Sequence, residues 1–158
     1  MVLTRETLIH RYGIAIAELI PLQLTVKEVA ERILEAHKNG TLQCDVVEEG
    51  HTGCRYGSDG PLGPNTICCA IGASVPPDLR SVFDNYPTAN IGALLEDGLV
   101  RTDNGHSLRE LQRLHDCAVT HKGRPSGDIY RAALYAMAAA LCGQEALPFV
   151  GNVADNAN

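Results

Sequence analysis

The chain is poor in aromatic residues and has no long hydrophobic run. Trp is absent, and aromatic residues make up only 4% of the 158 residues. The core must therefore rely on Leu, Ile, Val and Ala. No segment approaches the roughly 18 consecutive apolar residues of a membrane-spanning helix, and charged residues interrupt the N-terminal apolar segments before they reach the length of a signal peptide. We therefore expect a cytoplasmic protein with no membrane partner.

A net positive charge is also lacking. The formal charge is −6 and the isoelectric point is near 5.4, which argues against nucleic acids and anionic membranes as partners. What is present is the composition of a globular domain, with 45% apolar and 20% charged residues. In the cytoplasm the six cysteines should stay reduced, so their even number does not indicate disulfides.

The apolar pattern predicts one mainly α domain over residues 1–147 with about six helices, followed by a flexible tail over 148–158. Capping boxes at Thr25–Glu28 and Ser107–Glu110 mark two helix starts, because each side chain can satisfy the other's backbone N–H. At most one short β hairpin or strand is expected, near 41–46, where apolar and polar residues alternate. The other helices are predicted from about 4 to 19, from 67 to the Pro76–Pro77 pair, around 77–83, after Thr88, and after Ser126 or Asp128.

Residues 48–65, EEGHTGCRYGSDGPLGPN, hold five glycines and two prolines, which excludes a helix and favours a shaped loop. Loops of this length in a compact domain are either functional or disordered. Arg55 and Tyr56 could hold an anionic or planar ligand there, with glycines that allow close approach of the backbone. The alternative is a surface loop whose Tyr56 packs back on the body of the protein.

A second candidate lies in the sequence LQRLHD. Gln112 and Asp116 are four residues apart and share one row of a helix, beside His115. These polar groups could line a ligand-binding pocket, in which Gln112 and His115 contact the ligand. They could equally form a hydrogen-bond network under the glycine-rich loop.

The pair Cys68-Cys69 raises the question of nucleophilic chemistry. A cysteine in the first turn of a helix beginning at Ile67 would face unpaired N–H groups, which favour the thiolate. Cys69 could then act with His115 as the base and Asp116 as a third polar group. However, adjacent residues on a helix are turned about 100° apart, so Asp116 is poorly placed to orient His115. The alternative is a buried Cys69 with a hydrogen-bonded core histidine.

Metal binding is a further candidate function, because a bound metal ion would stabilise a long loop that has little apolar content. His51 and Cys54 have the spacing of paired zinc ligands, and Cys68 could add a third. The adjacent cysteines are too close in sequence for both to act as ligands from one helical turn. Zinc is the one cofactor that this pattern allows, and otherwise none is predicted.

Four short stretches have a familiar order: CRY at 54–56, CAIGA at 69–73, PPDL at 76–79 and LRELQRLHD at 108–116. Together they resemble a family of small phage and prophage-type proteins with the pattern Cys-x-Tyr, Cys-Ala-x-Gly and Leu-Gln-x-x-His-Asp. The resemblance covers about two-fifths of the chain; the gap before the second motif is longer here, and Cys68 is additional. It implies a phage or mobile-element setting and no particular mechanism.

The expected function is therefore binding, since no catalytic motif is complete. The sequence favours a small cytosolic, phage-like modulator that acts on a host protein or binds a small molecule. The alternative is a cysteine-dependent hydrolase or transferase that uses Cys69 and His115. A third hypothesis is a zinc-stabilised interaction module.

Overall fold

The computed structural model describes residues 3–42, 56, 69–86 and 90–143. Within these ranges the helices are α1 (Arg5–Tyr12), α2 (Ile14–Glu18), α3 (Val26–Lys38), α4 (Pro77–Asp84), α5 (Ile91–Glu96), α6 (Gly105–Thr120) and α7 (Pro125–Leu141), and a 3₁₀ turn lies at Gly72–Ser74. Two short strands, β1 (Leu22–Leu24) and β2 (Val100–Thr102), pair in parallel. The mainly α fold is confirmed, and none of the helices in these ranges is long and apolar enough to cross a membrane.

The core is formed where α6 and α7 pack along each other, with α3 against α7 and α5 against α6. The apolar stripe of α3 faces inward as its spacing predicts, so Val29, Ala30 and Ile33 are fully buried. Leu residues of α6 and small or branched residues of α7 belong to the same buried cluster. The fully or almost fully buried members from these two helices are Leu108, Leu111, Leu114, Ala133, Leu134 and Ala138.

The parallel strand pair lies elsewhere than the strand expected near 41–46, which stays a prediction because most of it lies outside the described residues, although Leu42 forms a β bridge. Neither strand lies at 41–46, of which only Thr41 and Leu42 are described. Leu22 pairs with Val100 and Leu24 with Thr102. The pairing joins distant parts of the chain, and Asp103 Oδ1 accepts a hydrogen bond from the N–H of Val26, 77 residues away.

Helices α3 and α6 each begin just after a strand, so both start at the same edge of the sheet. Thr25 caps α3 by accepting from the N–H of Glu28 at 3.3 Å, which is the first of the two bonds of the predicted capping box. The cap of α6 is Asn104, whose Oδ1 accepts from the N–H of Ser107 at 3.1 Å. The predicted capping box at Ser107 and Glu110 is therefore wrong, because the helix begins at Gly105, before Ser107, and Asn104 already satisfies the Ser107 N–H.

Two other predicted helices need correction. The first helix is interrupted at Gly13, whose φ of +87° suits glycine and separates α1 from α2. The helix expected from Ile67 to Pro76 is not continuous: Cys69 precedes the 3₁₀ turn and lies outside any α-helix. The predicted tail, 148–158, lies outside the described residues.

Candidate functional site

Gln112 is the centre of a polar cluster on α6. Its Oε1 accepts a hydrogen bond from the backbone N–H of Ile71 at 3.4 Å, and its Nε2 donates to Asp116 Oδ1 at 2.7 Å. The first bond fixes which end of the Gln112 amide faces the 69–75 segment. The second therefore holds the Asp116 carboxyl in one position. The predicted pairing of Gln112 and Asp116 along a helix row is present.

The Asp116 carboxyl has a higher pKa than an ordinary aspartate. Burial raises its pKa to about 6, because the charged form loses solvation, and the hydrogen bond from Gln112 offsets only part of this effect. Asp116 therefore exchanges a proton near neutral pH. A positioned carboxyl of this kind is common at binding and catalytic sites.

Asp116 opens into a groove between α5 and α6 with a volume of about 710 Å³. This size lies within the range of small-molecule sites. The α5 side includes Asn90, Ile91, Gly92, Ala93 and Glu96, and the α6 side includes Arg109, Gln112, Arg113, Asp116, Cys117 and Thr120.

The two arginines of the groove differ in their surroundings. Arg113 forms a two-point ion pair with Glu110 on the same helix, at 2.9 and 2.5 Å. This pairing lowers the pKa of Glu110 and raises that of Arg113. Arg109 is exposed, and in the described ranges it makes no hydrogen bond or ion pair. Its guanidinium lies beside Gly92, where a side chain would come within 3.9 Å of Cζ.

Tyr56 packs back on the body of the protein. Its side chain is 2% exposed, its ring meets Phe83 edge to face at 5.7 Å, and its N–H donates to Asp84 Oδ1 at 2.7 Å. Its carbonyl lies against Gly72, where a Cβ would stand 1.5 Å from the Tyr56 oxygen. Burial raises the pKa of Tyr56, and the nearby Cys69 and Asp116 act in the same direction. Arg55, its predicted partner in ligand binding, lies outside the described residues.

Cys69 is completely buried, and its Sγ accepts a hydrogen bond from the N–H of Gly72 at 3.3 Å. Because Cys69 lies outside any α-helix, the helix dipole that the sequence suggested does not act on its thiol. Burial instead matches the alternative of a small apolar residue in the core, and Cys69 belongs to the main hydrophobic cluster.

His115 is also buried, with 4% of its surface exposed. Its Nε2 has no hydrogen-bond partner in the described part of the chain. Burial lowers the pKa of His115 to about 4, and the charge of Arg131 on α7 adds to this effect. His115 is therefore neutral at pH 7.

The three residues of the catalytic hypothesis have different partners. Asp116 binds Gln112, the Cys69 Sγ accepts from Gly72, and no hydrogen bond between described residues joins His115 to either of them. The 100° turn between adjacent helix positions accounts for the separation of His115 and Asp116. The catalytic hypothesis stays a prediction.

The predicted metal ligands His51, Cys54 and Cys68 all lie outside the described residues. Within residues 3–42, 56, 69–86 and 90–143, no group of three or more His, Cys, Asp or Glu side chains could hold a metal ion. The zinc hypothesis therefore also stays a prediction.

Sequence reasoning missed Arg109 and the whole α5 side of the groove. A signal for Arg109 was present, because positions 109, 112, 113 and 116 recur at spacings of three and four residues and so share one face of a helix. No such signal exists for α5, since its position against α6 depends on tertiary packing.

Compared with known proteins, the chain matches no protein-family model, no curated protein and no solved structure. The resemblance to phage-type proteins therefore stays a prediction. The candidate site is supported by its geometry and by no similarity to a known protein.

Proposed function

We propose that the chain is a binding protein that takes a small polar molecule in the groove between α5 and α6. The observation that carries this proposal is the Asp116 carboxyl, which Gln112 holds at the wall of a groove of about 710 Å³. Carboxyls whose pKa is raised by burial in a cleft are enriched at functional sites, and Asp116 combines this property with a fixed position in the groove wall.

The chemistry of the groove fits recognition by polar groups. Gln112 and Asp116 are fixed by their mutual hydrogen bond, and Arg109 lines the same groove beside Gly92 of α5. Fixed polar groups orient a ligand at small entropic cost, because they are ordered before it arrives. The phage setting and the cytoplasmic location expected from the sequence are compatible with such a protein and form part of the proposal.

The test is a titration of small polar molecules followed by the amide resonances of the protein. We expect saturable shifts at groove positions such as Ala93, Gln112 and Thr120. The variant Ala93→Leu should weaken the binding, because the larger side chain fills the groove from α5. Ala140→Leu is the matched control, since Ala140 is exposed on α7. Binding that Ala93→Leu leaves unchanged would refute the groove as the site.

A further inference from the structure

The groove between α5 and α6 carries charges of both signs that do not pair with each other. Glu96 and Asp116 supply two carboxyls and Arg109 supplies a guanidinium, and no ion pair joins any of these three to another described residue. The other charge of the groove, Arg113, is held at two points by Glu110. A ligand with a single charge would therefore leave one sign of the groove unmet, whereas a ligand with both charges meets both.

Asp116 is the acid that a positive group would stabilise most. Its carboxyl is half-buried, and the Gln112 amide that donates to Oδ1 at 2.7 Å carries no charge. Burial raises its pKa to about 6, and among the described groups no cation lowers it. An ammonium group against this carboxylate supplies the missing charge and a second hydrogen bond. Glu96, in contrast, is exposed, so water already solvates its charge.

Arg109 is the positive partner, and it lies on the same row of α6 as Asp116. The two residues are two turns apart, so their side chains leave the helix in nearly the same direction, about 10 Å apart along its axis. A free amino acid is too short to join them, because its ammonium and carboxylate are attached to one carbon. An extended peptide covers about 3.3–3.6 Å per residue, so about three residues span the distance.

The opposite wall of the groove leaves room for such a chain. Gly92 and Ala93 of α5, which have the smallest side chains, line this wall. Arg109 reaches it, with Nε 3.8 Å from the position that a Cβ would take at Gly92. The volume of about 710 Å³ is within the range of small-molecule sites.

We propose that the groove binds a short zwitterionic peptide of about three residues, with its N-terminal ammonium against Asp116 and its C-terminal carboxylate against Arg109. This inference deepens the proposed function and depends on it. The guanidinium of Arg109 suits a terminal carboxylate, because it donates paired hydrogen bonds to the two oxygens. Affinity therefore requires both free termini and the length that separates them.

The test compares trialanine with three analogues that lack one charge or the length. Acetyl-trialanine lacks the ammonium, trialanine amide lacks the carboxylate, and alanine carries both charges on one carbon. Binding is followed by the same groove resonances at about pH 7.5, where Asp116 is ionised.

Trialanine should bind most tightly of the four probes. We expect its affinity to exceed that of acetyl-trialanine about tenfold, because the half-buried Asp116 forms a charged hydrogen bond with the ammonium. It should exceed that of trialanine amide about threefold, because Arg109 is exposed and its ion pair is weaker. Alanine should bind more weakly than trialanine, since it cannot reach both partners.

Two variants assign each terminus of the peptide to its partner. Asp116→Asn should lower the affinity for trialanine about tenfold and leave that for acetyl-trialanine unchanged. Arg109→Gln should lower the affinity for trialanine about threefold and leave that for trialanine amide unchanged. The matched controls are Asp128→Asn on α7 and Arg101→Gln on β2, both exposed and outside the groove. The folded state of each variant is checked by its dispersed amide resonances.

The outcomes are distinguishable. Equal affinities of trialanine and its two blocked analogues at the groove would overturn the zwitterionic ligand and leave the proposed function standing. Binding of another small polar molecule without binding of trialanine has the same meaning. Affinities for trialanine that neither Asp116→Asn nor Arg109→Gln lowers would overturn the assignment of the termini. If no peptide and no other small polar molecule shifts the groove resonances, the proposed function fails as well.

Discussion

Replacing His115 should change how the stability of the protein depends on pH. The folded pKa of His115 is about 4 against an ordinary value of 6.5. The unfolded chain therefore binds a proton at higher pH than the folded chain does. The contribution of neutral His115 to the free energy of unfolding is fully present above about pH 6.5 and is lost as the pH falls toward 4. At about pH 5 the loss from this one side chain is about 2 kcal/mol.

Asp116, the next residue on the same helix, makes stability depend on pH in the opposite direction. Its folded pKa is about 6 against an ordinary value of 3.8, so the folded chain holds its proton more tightly than the unfolded chain. Its contribution is fully present below about pH 3.8 and is lost as the pH rises through 6. At about pH 5 it adds about 1.4 kcal/mol relative to pH 7.5. The effects of His115 and Asp116 on the free energy of unfolding between these two pH values therefore largely cancel.

The assay is urea denaturation, followed by the helical circular dichroism signal, at about pH 7.5 and 5. When the pH is lowered, the free energy of unfolding of His115→Leu should rise by about 2 kcal/mol relative to that of the parent protein. The free energy of unfolding of Asp116→Asn should fall by about 1.4 kcal/mol relative to the parent. His115→Gln is the control for polarity, since it removes the titration and keeps a polar side chain. If both variants keep the pH dependence of the parent, the burial argument for these two groups is wrong.

Two other predictions concern the segment from Cys69 to Ser74. Gly72→Ala should destabilise the protein by about 1–3 kcal/mol, because its Cβ would overlap the carbonyl of Tyr56. The control in the same urea assay is Gly105→Ala, whose Cβ would meet only ordinary contacts. Equal stabilities of the two variants would contradict the close approach of Gly72 to Tyr56. Iodoacetamide should alkylate Cys117, which is half-buried in the groove, well before the fully buried Cys69 in the folded protein. Peptide mass spectrometry measures both rates, and a fast Cys69 would favour the hydrolase hypothesis.

Local signals in the sequence predicted much of the helical fold. The Thr25 cap and the stripe on α3 depend on residues three or four positions apart, so they can be recognised without tertiary structure. The hydrogen bond between Gln112 and Asp116 is local in the same way. These features form because the helix itself brings the groups together.

The strands and the Cys69 segment could not be predicted, because their conformation depends on distant residues. Each strand is only three residues long, and its partner is far away in sequence. At Gly72 the close contact with Tyr56 joins the 3₁₀ turn to a residue of the glycine-rich stretch. The apolar pattern CAIGA is compatible with a helix, yet tertiary packing selects a 3₁₀ turn.

The parallel pairing of β1 with β2 has a consequence for the order of folding. The hydrogen bond between Val26 and Asp103 joins residues 77 positions apart, and closing such a loop costs about 2 kcal/mol more than closing one of ten residues. A growing chain on the ribosome cannot form this contact until Asp103 has emerged. The first strand and the start of α3 therefore gain this contact only after about two thirds of the chain has been synthesised.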